Sequence, residues 1–131
     1  MSKKVFTIKF TGPAGMGIKS VGQLFSKILI AHGLNLSDYS EYPSLVRGGH
    51  NTYQVSFSQE KVFAPHYQID FLFSIVPNHW SQHLGEFHKE TLIFSDEKID
   101  KKTTKKGKFL FLPFKTLAGE IGSSQVVNTI S

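Results

Sequence analysis

The chain has 131 residues, with 15 Lys and Arg against 10 Asp and Glu (net charge +5), 40% hydrophobic residues, 12 Phe and no cysteine. That length supports one apolar core, and so many phenylalanines exceed what a solvated, disordered chain carries. The lack of cysteine excludes a disulfide scaffold, a thiolate zinc site and a cysteine-held iron–sulfur cluster in these residues, and the absence of a long apolar run argues against a membrane span or signal peptide, so the expected location is the cytoplasm.

Taken in order, the pattern alternates strands and helices. In Lys4–Thr11, Phe6, Ile8 and Phe10 fall on one side, and Val5, Thr7 and Lys9 on the other, which predicts a strand with at least one buried face. Gly12-Pro13-Ala14-Gly15-Met16-Gly17 breaks it. From Ile18, the spacing of Val21, Leu24, Phe25, Ile28 and Leu29 predicts an amphipathic helix ended by His32-Gly33. A strand is predicted over Leu36–Tyr42. Another follows over Asn51–Phe57, where Tyr53, Val55 and Phe57 alternate with Thr52, Gln54 and Ser56; this suggests a wetter face and antiparallel pairing.

Ser58-Gln59-Glu60-Lys61 is expected to turn the chain into a short return strand at Val62-Phe63. Ile69–Val76 is nearly continuous apolar and reads as a strand buried on both faces. Pro77 suits the first turn of a helix running to about His88. Thr91–Phe94 and Phe109–Leu112 read as short buried strands, Phe114–Ile121 as a helix, and Gln125–Ser131 as the start of a further helical or extended element. This order implies an α/β sheet, mostly parallel, with a β-hairpin embellishment.

Gly12, Ala14 and Gly17 occupy the three positions of G-x-G-x-x-G, after a strand and before a helix. There the unpaired N–H groups of a helix start face an anion, worth about 0.3–1 kcal/mol when exposed. The Ala14 methyl weakens the close approach that the middle glycine gives a pyrophosphate. Asp38 and Glu41 stand where a ribose-binding acid would, without being diagnostic. A plain structural turn, a phosphate-bearing ligand and a dinucleotide all remain open. The same stretch misses the phosphate loop of nucleotide hydrolases. Ile18 intervenes before Lys19-Ser20, and one extra helical residue turns both side chains by about 100°.

His79 and His83, four apart, form a potential metal pair with Glu86 or His88 as a third ligand, but Trp80 replaces the glutamate of a zinc protease. A solvated polar helix face is the preferred reading, and no metal site is assigned. No nucleophile elbow occurs, and no catalytic residue is assigned. Residues 98–108 hold six lysines without interleaved arginine or aromatic residues, which fits a solvated loop better than a nucleic-acid surface.

In residues 40–53, Ser-Glu-Tyr-Pro-Ser-Leu-Val-Arg-Gly-Gly-His-Asn-Thr-Tyr, Pro43 restricts the backbone while Gly48 and Gly49 loosen it beside Arg47. That arrangement can aim a guanidinium and backbone N–H groups at an anionic or carbonyl-rich partner; a structural loop is the competing reading. Together with the glycine turn, this run resembles the gamma module of the 2-oxoacid:ferredoxin oxidoreductases, most closely the version fused to the thiamine-pyrophosphate-dependent alpha chain. Ile69-Asp70-Phe71-Leu72 and Asn128 extend the likeness over nearly the whole chain, while Ala14 and Met16 stand where the family usually has Gly and Gln.

The resemblance implies a Rossmann-like three-layer sandwich forming a single gamma-type domain over residues 1–131, cut short at its C-terminal end relative to the family; dimerisation would cover apolar surface left by a missing helix. It further implies a part in oxidative decarboxylation of a 2-oxoacid to acyl-CoA with ferredoxin reduction, in a complex with alpha, beta and ferredoxin-like chains. Thiamine pyrophosphate, Mg and iron–sulfur clusters are expected on those partners, with CoA the one ligand this chain would help position. The implied contacts are Gly12, Ala14, Gly15 and Gly17 at the turn, and Arg47, Gly48, Gly49 and Asn51 in the neighbouring loop. A free-standing nucleotide-binding regulatory domain and a basic nucleic-acid-binding module are the alternatives.

Overall fold

The computed structural model describes residues 4–13, 15, 17–41, 50–64, 66–75, 79–96 and 106–113. Among them, six strands form one sheet in the order β2-β3-β1-β4-β5-β6. The strands are β1 (Phe6–Pro13), β2 (Asn35–Glu41), β3 (His50–Ser58), β4 (Ile69–Ser74), β5 (Phe87–Ser95) and β6 (Lys108–Phe111). The ladders β1–β4, β4–β5 and β5–β6 are parallel, whereas β3 is antiparallel to both β1 and β2. This is the expected α/β architecture, with its hairpin made by β2 and β3.

The helix α1 (Ile18–Ala31) follows β1 and packs over β1, β2 and β3. Its end is a Schellman motif: Leu34 N–H donates to Leu29 O (3.1 Å) and Gly33 N–H to Ile30 O (3.0 Å), with Gly33 at φ 79°. Beneath the helix lie Ile8, Phe10, Tyr53 and Val55. Phe10, Phe73 and Phe94 stack across β1, β4 and β5 with centroids 5.5 and 4.6 Å apart. The helix comes so close to β3 that a Cβ on Gly22 would sit 2.2 Å from Tyr53 Cδ1.

Several local expectations change. Val62-Phe63 is not a strand, and the Phe63 side chain is 90% exposed. Backbone hydrogen bonds here go instead from His66, whose N–H donates to Ser56 Oγ and whose carbonyl accepts from Gln54 Nε2, so residues near His66 lie across β3 rather than beside it. The expected helix to His88 is a 3-10 segment, His79–Glu86, and His88 already belongs to β5. Its residues are too few and too mixed for an amphipathic α-helix; Trp80 anchors it over Leu72 and Ile93, edge-on to Phe109 with centroids 5.0 Å apart.

The supposedly wet face of β3 is also buried. Thr52, Gln54 and Ser56 are enclosed together with Thr7, Lys9 and Thr11 of the paired β1. Pro77, the predicted elements over 114–121 and 125–131, and most of the lysine-rich run lie outside the described residues.

Candidate functional site

In parallel α/β sheets, ligands bind where strands deliver their carboxyl ends. Here β1, β4 and β5 end together, with Thr11 paired to Ser74 and Ser74 to Ser95. The glycine turn opens at this edge. Gly12 is closely approached by the helix, since a Cβ there would lie 2.9 Å from Cδ1 at the tip of the Ile18 side chain. Gly17 caps α1 at φ 74°, the left-handed region that glycine enters without steric cost, and its carbonyl accepts the first helical bond from Val21 N–H at 3.0 Å. Gly17 brings no side chain to cap α1, and the first turn of the helix carries no acid.

The second predicted segment adjoins the same edge at both of its described flanks. Glu41, ending β2, pairs with Thr52, while Asn51 pairs with Gly12 and His50 with Pro13. Of the predicted contacts, Gly12, Gly15, Gly17 and Asn51 are therefore placed: Gly15 (φ 87°) and Gly17 in the turn, and Asn51 directly across from Gly12. Ala14, Arg47, Gly48 and Gly49 lie outside the described residues.

The sheet face opposite α1 holds a polar network. The Lys9 side chain is 2% exposed and its Nζ donates to Glu86 Oε2 at 2.5 Å. Glu86 Oε1 meets His83 Nδ1 at 2.9 Å. Burial alone would raise the Glu86 pKa, but the hydrogen bonds from His83 and Lys9 and their charges outweigh it and hold the carboxyl below its ordinary range. Burial, followed by the negative charges of Glu41 and Glu86, pushes the Tyr39 phenol upward. Asp70 accepts from Thr7 N–H at 2.8 Å and pairs with His88 Nε2 at 2.7 Å.

These contacts change the reading of the histidines. His83 is buried against Glu86 rather than solvated, and His88 is committed to Asp70. Among the described residues, no group of three or more His, Cys, Asp or Glu could hold a metal ion. The sequence reading named Glu86 only as a possible metal ligand and missed its buried pairing with Lys9. The available signal was a polar residue at every second position of both β1 and β3, which also describes a solvent-facing pair. An open cavity of about 470 Å³ between Lys4, Phe6, Leu34 and Phe57 lies at the amino end of β1, away from the turn. No helix among the described residues is long and apolar enough to cross a membrane.

Residues 7–131 match the family model described as pyruvate ferredoxin/flavodoxin oxidoreductase. No curated protein matches in sequence. A 2-oxoglutarate:ferredoxin oxidoreductase from Magnetococcus marinus, solved with 2-oxoglutarate, coenzyme A and succinyl-CoA bound, is similar at TM-score 0.88 and 22% identity, over 98% of this chain and 23% of that one. A pyruvate oxidoreductase subunit from Thermotoga maritima is similar at TM-score 0.78 and 21% identity, over 97% of this chain and 72% of that one. A keto/oxoacid ferredoxin oxidoreductase gamma subunit from Geobacter sulfurreducens gives TM-score 0.80 and 17% identity, over 98% and 72%. The chain thus spans less than a quarter of the Magnetococcus chain.

Proposed function

This chain belongs to the pyruvate ferredoxin/flavodoxin oxidoreductase family, and on that premise we propose that residues 1–131 act as one gamma-type domain of a cytoplasmic 2-oxoacid:ferredoxin oxidoreductase. The overall reaction converts a 2-oxoacid, CoA and two oxidised ferredoxins into acyl-CoA, CO₂, a proton and two reduced ferredoxins. Thiamine pyrophosphate and iron–sulfur clusters supply the carbon–carbon cleavage and electron transfer in such chemistry. The residues here do not fit a cluster, because the chain has no cysteine. Its part is to assemble with alpha, beta and ferredoxin-like partners and to position CoA.

The observation that carries this reading is the juxtaposition of Gly12 with Asn51 at the carboxyl edge of the sheet. It brings the glycine-led start of α1 and the flank of the arginine-bearing segment to one place. The helix start would receive a phosphate of CoA through backbone N–H groups, and the Arg47 guanidinium would supply the countercharge. Arg47→Ala tests it in the complex isolated with its partner chains. The expected result is a roughly tenfold rise in the KM for CoA, or a loss of subunit association, with the 2-oxoacid KM unaffected. Unchanged CoA dependence together with unchanged association would remove Arg47 from the site.

A further inference from the structure

The amino end of β1, at the far pole of the sheet from the glycine turn, carries a hole and a knob. The hole is the open cavity of about 470 Å³. Phe6 and Phe57, stacked with ring centroids 6.0 Å apart, line it together with Leu34, and Phe6 is still 38% exposed there. Its rim is polar and tied down. Asn35 Nδ2 donates to Gln59 O at 3.1 Å, Glu60 N–H donates to Ser58 Oγ at 3.1 Å, and Lys4 Nζ meets Glu60 Oε1 at 3.4 Å. The knob is Phe63, which is 90% exposed. The chain leaves the rim at Glu60 and is fixed again at His66, whose N–H donates to Ser56 Oγ at 3.0 Å. Phe63 stands midway along that short passage and so projects from the same pole. The described lining of the cavity ends at Glu60, so the ring does not fill the hole beside it.

We propose that knob and hole mate between copies of this chain: Phe63 of one copy enters the Phe6–Leu34–Phe57 cavity of a second, which returns the contact about a twofold axis. A twofold interface needs a patch that is complementary to itself, and a knob beside a hole meets that need. The charges agree. Lys4, Glu60 and Lys61 are all exposed at the rim, so Glu60 of each copy can face the lysines of the other. A buried phenylalanine removes about 150–250 Å² from water, so two rings with the walls they cover bury on the order of 800 Å². That is the scale of a weak, reversible contact, below the roughly 1,200 Å² at which stable interfaces begin. Gly12 and Asn51 pair at the other end of β1, so the contact does not depend on the proposed anion site.

Sedimentation over a range of concentrations, on the protein isolated with its partner chains, measures the contact. The wild type is expected to self-associate, and Phe63→Ser to weaken that association at least tenfold. In dilute solution the variant should melt like the wild type, because so exposed a ring supports little packing in its own chain. Replacing Phe63 with the photoreactive analogue p-benzoylphenylalanine identifies the hole. Illumination is expected to give a product of twice the chain mass, joined from position 63 to Phe6, Leu34 or Phe57 of the other copy. A wild type that does not self-associate, or a Phe63→Ser variant that associates as well as wild type, overturns the proposal. So does the lack of a crosslink, or one formed within a single chain, to a different protein or to another surface of the second copy.

Discussion

Lys9 in the middle of β1 and Glu86 at the end of the 3-10 segment stand 77 residues apart in the chain, yet meet at 2.5 Å on a buried face of the sheet. A lysine in a central strand ordinarily ends in solvent, and this one is enclosed. Enclosure is tolerable because Glu86 supplies the opposite charge and is itself held by His83. The pair pins the segment that carries Trp80 onto the apolar cluster of Ile69, Leu72, Phe87 and Ile93.

Removing one member should cost far more than removing both. Lys9→Met leaves Glu86 without its principal cation and is expected to lower unfolding stability by about 3 kcal/mol. Adding Glu86→Leu should recover at least half of that loss, because no charge then remains desolvated. Urea denaturation of the wild type, Lys9→Met, Glu86→Leu and the double variant closes the cycle. Additive losses would show that the pair does not act as a unit.

The same carboxylate sets an acid limit. Its pKa is depressed in the folded protein, so the folded state binds fewer protons than the unfolded state just below the ordinary Glu value of 4.5. Its contribution is therefore fully present above that value and is lost as the pH falls through the depressed folded value. Urea midpoints measured from pH 6 down should converge for wild type and Glu86→Gln only at the acidic end. A constant offset across the range would mean that Glu86 titrates as it does in the unfolded chain.

Gly22 tests the seat of α1 on β3. A Cβ there meets the Tyr53 ring at 2.2 Å, and the intruded atoms belong to a buried side chain. Alanine is the better helix former by about 1 kcal/mol, yet Gly22→Ala should destabilise by about 1–3 kcal/mol, because overpacking outweighs propensity. Thermal melting decides the sign, and Tyr53→Leu in the Gly22→Ala background should restore part of the loss.

What was legible in the sequence was whatever local geometry dictates. The bounds of α1 follow from a 3.6-residue apolar repeat between Gly17 and Gly33, each in a left-handed conformation that glycine enters without steric cost. The glycine turn was readable for the same reason, since a strand that hands directly into a helix needs such positions. The apolar run of β4 announced its central place, and the alternation in β3 announced its two faces.

Alternation assigns residues to faces without saying what lies on each face. Thr52, Gln54 and Ser56 look solvated in the chain, yet all three are buried in the fold, with the His66 backbone hydrogen-bonded to Gln54 and Ser56 on that side. Phe63 shows the reverse: apolar by composition, it is left in solvent because no strand forms to turn it inward. Whether Lys9 is an exposed cation or half of a buried pair was settled by long-range packing, because the energy of a charge depends on the groups brought around it and not on its neighbours along the chain.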